Sequence, residues 1–300
     1  VVIITYNDKD RLLDCLHSLR KQSYPTSDFE ILIVDDGSTD QTAEIVEARF
    51  PEVTVLRKPN SGPDNSRNFA LARATGEIIA FIDSDCVAPP DWLTNMDRSV
   101  RHNDACLVGG PIRHQGNFWT RLIGISDFGE FQGLTFREVF NLPSCNLALP
   151  RQLLNGCYFH SEVRFGGDVL LCNELRRLGR RLIFDPSIQI FHRPTGDWQS
   201  FLRRAGVYGE GFVLLRLIDP SLRYGWVLKG GVPGILLATL ARSGLDSYRL
   251  LRFRKPAGFA FWELPPAIFL LVLKRALSLP ASFAAYRRRQ RIHASPAPNR

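Results

Sequence analysis

Gly76-Glu77-Ile78-Ile79-Ala80-Phe81-Ile82-Asp83-Ser84-Asp85 is the stretch on which the fold turns. A continuous apolar run of this length, opened by a glycine and closed by acidic residues, has the pattern of a strand buried on both faces. Such strands belong to parallel sheets covered by helices, and two more runs upstream share the texture. Val1–Thr5 and Ile31–Val34 are β-branched and apolar, and Val53–Leu56 is a third, shorter candidate. Between them Arg11–Arg20 sets Leu12, Leu13, Leu16 and Leu19 on one helical face. Ser38 with Gln41 reads as a capping box for a helix through Ala48, and Asp64 or Asn65 as the cap of a helix ending near Ala74. Strands alternating with helices at this spacing predict βαβ units.

Downstream, residues 111–160 mix Gly, Pro and Asn with short apolar pieces and carry no clear period. Order returns with a helix over Leu170–Gly179, with Leu171, Leu175 and Leu178 inward. Strands are expected at Leu182–Phe184 and Ile188–Phe191.

The chemistry sits where strands end. Asp35-Asp36-Gly37-Ser38-Thr39-Asp40 follows one strand, and ligands of open α/β sheets bind beyond the carboxyl ends of strands. A carboxylate there can accept from a ribose hydroxyl or a base N–H, although the same residues would also serve as a plain turn into a capped helix. Asp83-Ser84-Asp85 follows another strand, and alternation can turn both carboxylates toward one point, as ligands for Mg²⁺ or Mn²⁺ bridging to phosphate. Arg67, near a helix start within Gly62–Asn68, suits an anion, or simply faces solvent.

Charge divides the chain. Its net charge is +8, yet residues 201–300 hold 17 Lys and Arg against 4 Asp and Glu, so the first 200 residues are net acidic. The basic part interleaves its charges with the uncharged runs Gly230–Ala241 and Leu264–Leu273, which suits an anionic membrane surface better than nucleic acid. Re-entrant, interfacial and marginally spanning helices all fit that texture, as does a helical subdomain with a solvated basic face. Six cysteines, Cys15, Cys86, Cys106, Cys145, Cys157 and Cys172, form no C-x-x-C pair and read as reduced thiols of a cytosolic protein. The apolar opening at Val1 has no charged leader, so no signal peptide is expected.

Taken in order, Val1–Asn7, Val34–Asp40, Gly62–Asn68, Gly76–Asp85, Asn146-Leu147-Ala148, Asp168–Gly179 and Asp185–His192 resemble the family 2 glycosyltransferases. The resemblance covers roughly residues 1–215. It implies a GT-A-type α/β fold with a mostly parallel central sheet flanked by helices, followed by a C-terminal apolar and basic helical tail. It also implies a donor-binding half over 1–110 and an acceptor and catalytic half over 111–215, while the basic, apolar texture of 216–300 predicts a membrane-associated segment. By the same resemblance Thr5, Tyr6, Asn7, Asp35, Asp36 and Arg67 hold the nucleotide of a nucleotide-diphosphate sugar, and Asp83 lies on its ribose side. Asp85, with His192 nearby, would bind a divalent metal (Mg²⁺ or Mn²⁺), Asn146 would lie on the acceptor side, and Asp168 would be the general base. The implied reaction is inverting, and the membrane-seeking texture of the tail places it at the cytoplasmic face of a membrane, on a glycan or lipid-linked acceptor.

Three departures stand out. Gly167-Asp168 replaces the usual Glu-Asp and Leu170 replaces a frequent second Asp, while Gln199 and Arg203 have the wrong spacing for the Gln-x-x-Arg-Trp element of processive members. A non-processive enzyme is therefore expected. A nucleotidyltransferase of similar fold and a non-catalytic nucleotide-sugar-binding relative are the alternatives.

Overall fold

The computed structural model describes residues 1–103, 107–154, 156–161, 163 and 165–294, with side chains through residue 288. Cys106, Arg289 as a side chain and the Pro/Ala-rich terminus beyond 294 lie outside the described residues. The chain divides into two compact units, Val1–Gln115 with Phe131–Pro194, and Gly116–Glu130 with Thr195–Arg300.

In the first unit the expected apolar runs become β1 (Val2–Thr5), β2 (Leu32–Asp35), β3 (Thr54–Arg57) and β4 (Ile78–Ile82). They pair in parallel, Val2 opposite Leu32, Leu32 opposite Thr54, and Val2 opposite Phe81. Helices α1 (Lys9–Leu19), α2 (Thr42–Arg49) and α3 (Pro63–Leu71) make the connections. In α1, Leu12, Leu16 and Leu19 are fully buried by the 3.6-residue period.

Beyond β4 the sheet changes character. β9 (Asn146–Pro150) runs antiparallel between β4 and β6 (Leu107–Gly109). β10 (Leu182–Phe184) pairs in parallel with β6, and β8 (Arg137–Glu138) closes the edge. The result is an eight-stranded mixed sheet in the order β3-β2-β1-β4-β9-β6-β10-β8. Parallel pairing thus holds among the first four strands and again between β6 and β10, with β9 and β8 as the antiparallel members. Helices α4 (Trp92–His102) and α6 (Gly167–Arg177) belong to this unit, with Leu171 and Leu175 buried as expected. Leu178 is 61% exposed instead of inward, because α6 has already ended at Arg177. A second sheet of three short strands joins β5 (Cys86–Val87), β11 (Ile190–His192) and β7 (Ile112–His114), and sets His192 opposite both Cys86 and His114.

Both expected helix caps give way to other contacts. Gln41 takes a left-handed conformation and Ser38 Oγ accepts the Asn7 N–H at 2.9 Å, while Asp40 accepts the Thr42 N–H at 3.1 Å. Helix α3 begins at Pro63, whose fixed φ and missing N–H suit the first helical position, so Asp64 and Asn65 fall inside the first turn.

The second unit is helical: α5 (Phe118–Phe128), α7 (Trp198–Ile218), α8 (Gly231–Phe253), α9 (Leu264–Leu277) and α10 (Leu279–Ala294). The boundary read at 215/216 falls within α7, and the region read as irregular contains α5. One core joins Leu122, Ile125, Phe201, Leu250, Ala267 and Leu271; another joins Phe212, Val213, Ile235, Ala238 and Ala285. Charges are buried as pairs. Lys274 meets Asp127 at 2.6 Å and Arg275 meets Asp246 at 2.6 Å, with Arg204 on Asp127 at 3.0 Å. Burial alone would raise the Asp127 pKa, but Lys274 and Arg204 outweigh it and hold the carboxyl below the usual range.

Outward, α8 shows Leu237, Leu240, Tyr248 and Leu251, and the stretch entering α9 shows Phe261, Trp262, Phe269 and Val272, all exposed. Among the described residues one helical stretch, Phe261–Arg288, is long and apolar enough to cross a membrane by length and composition alone. The five described cysteines are buried free thiols.

Candidate active site

Parallel pairing brings the carboxyl ends of β1, β2 and β4 to one edge of the sheet, so Thr5, Asp35 and Asp83 share that edge. The two carboxylates of Asp83-Ser84-Asp85 take different partners. Asp83 Oδ1 accepts from Arg67 Nη2 at 3.2 Å. Asp85 Oδ2 lies 3.1 Å from His192 Nε2 and 3.6 Å from Arg11 Nη1. Ser84 Oγ, between them, donates to Asp8 at 2.5 Å. Burial raises the Asp83 pKa, Arg67 opposes it, and the charge of Asp85 adds to it.

Asp85, Cys86 and His192 hold their ligand atoms within 4.8 Å of one another. Carboxylate oxygen with neutral imidazole suits Mn²⁺ or Mg²⁺, so these residues fit the expected metal. Burial pushes the Cys86 thiol well above its ordinary value. His192 is oriented from behind: its Nδ1 shares a 2.8 Å hydrogen bond with His114 Nε2, leaving Nε2 toward Asp85.

The residues read as donor-binding divide by what their side chains do. Tyr6 is 53% exposed at the end of β1, whereas the Thr5 hydroxyl is buried with no hydrogen-bond partner among the described residues. Asn7, in a left-handed conformation, accepts the Thr39 N–H at 2.7 Å and so ties the loop after β1 to the loop after β2. Asp35 accepts the Ser38 N–H at 2.8 Å. Asp36 accepts the N–H groups of Ser61 at 3.0 Å and Gly62 at 2.9 Å and pairs with Lys58. Asp35 and Asp36 therefore hold loops, with little surface left for a ligand. The turn between them and Ser38 needs Gly37, whose φ is +84° and whose Cβ would lie 2.9 Å from the Asn60 nitrogen.

Asn146, expected on the acceptor side, is a buried residue of β9. It is 1% exposed, its Oδ1 accepts from Trp92 Nε1 at 2.9 Å, and its Nδ2 donates to the Ile188 carbonyl at 2.8 Å. Both ends of its amide thus brace β9 from inside the core. Asp168 stands in the first turn of α6, not at its cap. Its Oδ2 accepts the Ser144 N–H at 3.0 Å and its Oδ1 the Val169 N–H at 2.9 Å.

Four residues at this edge escape a sequence reading: Arg11, Lys58, Asp64 and His114. Arg11 and Lys58 look like surface cations, and His114 sits where no period was readable. Asp64 looks like a helix cap, yet it is 4% exposed and bonded to Arg67 Nη1 at 2.8 Å. The only sequence signal would have been its i,i+3 spacing to Arg67.

The family model "Glycosyl transferase family 2" matches residues 1–156. Glycosyltransferase AglE of Haloferax volcanii is 26% identical over 248 residues, 78% of this chain and 81% of AglE. The poly(ribitol-phosphate) beta-N-acetylglucosaminyltransferase TarS of Staphylococcus aureus is 37% identical over 114 residues, 36% of this chain but only 20% of TarS. Among solved structures, the mannosyltransferase PcManGT of Pyrobaculum calidifontis in complex with GDP-Man and Mn²⁺ aligns with a TM-score of 0.60 at 20% identity, over 98% of this chain and 87% of that one. Such likeness carries the fold, which is of the GT-A type.

Proposed function

The chain belongs to glycosyl transferase family 2, and from that premise we propose that it moves a sugar from a nucleotide-diphosphate donor to an acceptor hydroxyl with inversion, non-processively and with a divalent metal. The observation that carries this reading is a continuous line of contacts along one sheet edge. Asp168 adjoins Gly167, whose Cα faces Asp64; Asp64 and Asp83 share Arg67; and Asp85 continues the line to His192. That row sets the Arg67 cation among carboxylates, as an anionic donor and a proton-losing acceptor would require.

Asp85 and His192 would hold a bound Mg²⁺ or Mn²⁺, which supplies charge neutralisation for a departing diphosphate. Arg67, held from two sides by carboxylates, presents a fixed cation to the same group. Tyr6 offers an exposed ring for a base, and the loops pinned by Asn7, Asp35 and Asp36 frame the nucleotide. Asp168 takes the acceptor proton as the oxygen attacks the anomeric carbon from the face opposite the diphosphate. Residues 1–110 serve the donor and 111–215 supply the base and meet the acceptor.

The second unit holds the enzyme at the cytoplasmic face of a membrane, near a lipid-linked or envelope glycan. Its apolar stripes on α8 and α9 flank Arg252, Arg254 and Lys255, a pairing of apolar anchors with cations that suits anionic lipid. Lys274 and Arg275, tied inward to Asp127 and Asp246, favour helices lying on the surface over a span.

Thermal stabilisation by a panel of UDP- and GDP-sugars, with and without Mn²⁺, tests the donor reading, since a ligand of the folded state raises its stability. Stabilisation by one nucleotide-sugar, followed by transfer to a hydroxyl acceptor, is expected. Consumption of NTP with a sugar-1-phosphate instead would make the chain a nucleotidyltransferase. Tight binding with neither transfer nor hydrolysis would make it a binding protein.

A further inference from the structure

Gly167 opens α6 with no positive φ, so the backbone does not require glycine there. What excludes a side chain is Asp64. A Cβ at 167 would stand 2.5 Å from Asp64 Cγ and 3.0 Å from Oδ1, nearer still to Oδ2. Asp64 has little freedom to yield, because it is buried in the first turn of α3 with Oδ1 bonded to Arg67 Nη1 at 2.8 Å. The same guanidinium reaches Asp83 through Nη2 at 3.2 Å and lies over the Phe159 ring at 5.5 Å. A carboxylate from α3 thus fills the volume in which a side chain of α6 would begin, one residue from Asp168. An amino-terminal helix turn favours a negative charge at that spot.

Resting on the donor reading above, we propose that Asp64 and Gly167 form one positioning unit for the donor: the glycine is a socket for the Asp64 carboxylate, which fixes Arg67 toward Asp83 and the diphosphate. Any side chain at 167 displaces Asp64 and frees Arg67. Conversely, a carboxylate supplied from 167 in the absence of Asp64 rebuilds the clamp, since its stem then occupies the emptied socket. Packing alone makes a different demand, namely that the socket be filled by anything of the right size.

The test compares wild type, Asp64→Ala, Gly167→Ala, Asp64→Ala with Gly167→Ala, and Asp64→Ala with Gly167→Glu. Two quantities are read for each: the unfolding midpoint, and the Kd for UDP and for GDP in Mn²⁺ by calorimetry. Each single variant weakens nucleotide binding about tenfold or more, the scale of losing one charge-assisted bond that orders an anion-binding cation. The Ala/Ala pair regains the midpoint but not the affinity, whereas the Ala/Glu pair returns the affinity to within about threefold of wild type. Equal affinity in the two double variants would reduce Asp64 to a space-filler, and a Gly167→Ala protein that folds and binds like wild type would remove the socket. Should wild type bind neither nucleotide, the donor reading itself fails and takes this assignment with it. Should wild type bind while the Ala/Glu pair stays weak, the clamp alone is wrong.

Discussion

Asp168→Asn separates a base from a structural carboxylate, because the structure bounds what the substitution can cost in stability. Asp168 Oδ2 and Oδ1 accept from Ser144 and Val169 at 3.0 and 2.9 Å. Asparagine keeps one oxygen and so keeps one of these bonds. The other backbone N–H loses a charged acceptor, worth roughly 1.5–3 kcal/mol when buried. The side chain is only half-buried and water can replace the lost partner, so a loss of about 1 kcal/mol is expected. A missing general base costs about 10²–10⁴ in rate, or roughly 3–5 kcal/mol of barrier, and the amide cannot take a proton. Denaturant unfolding measures the first quantity, nucleotide Kd by calorimetry shows whether the donor site survives, and single-turnover product formation measures the second. Near-level stability, intact nucleotide binding and collapsed transfer are expected. Transfer within a few-fold of wild type refutes the assignment, and Asp168 is then only the tie between α6 and Ser144.

Asp85→Asn should abolish Mn²⁺-dependent stabilisation by nucleotide while leaving the unliganded Tm nearly unchanged; intact metal dependence in that variant removes Asp85 as a ligand. Burial lifts the Asp64 pKa from 3.8 to about 6, against the pull of Arg67. A raised folded pKa means that the protonated carboxyl is favoured by folding. Its contribution, roughly 3 kcal/mol, is therefore fully present below pH 4 and lost as pH rises through 6. Urea unfolding from pH 4 to 8 should show that fall in wild type and not in Asp64→Asn; identical profiles would contradict it. Lys274→Met leaves buried Asp127 with Arg204 and the Ser126 hydroxyl and should cost about 3 kcal/mol, while adding Asp127→Leu should recover most of it. Trp262→Ser with Phe269→Ser should release the protein from vesicles containing phosphatidylglycerol without lowering its Tm. Unchanged sedimentation with vesicles would show that this face is not the membrane contact.

Local chemistry made a good deal of this protein legible before any coordinates. Continuous β-branched runs name β1, β2 and β4 because a strand buried on both faces has no other composition, and α1 declares itself by its leucine period. The acidic strand ends at Asp35 and Asp83 follow from the same reasoning, since the edge where parallel strands end is where ligands bind. Tertiary structure decided the rest. The antiparallel insertion of β9 between β4 and β6 pairs residues far apart along the chain, such as Ile82 with Asn146. No local pattern encodes that pairing, and it is what buries the Asn146 amide between Trp92 and the Ile188 carbonyl.

The pairings of β5, β11 and β7 likewise bring Asp85, His192 and His114 together from three distant segments. The Asp64–Gly167 contact was hidden for the same reason. A glycine in sequence records only that a side chain is absent, and what fills the space comes from another helix more than a hundred residues earlier. Periodicity reports which way a residue faces from its own backbone. Which partner it meets there is set by long-range packing, where burial turns an apparent helix cap into a paired charge.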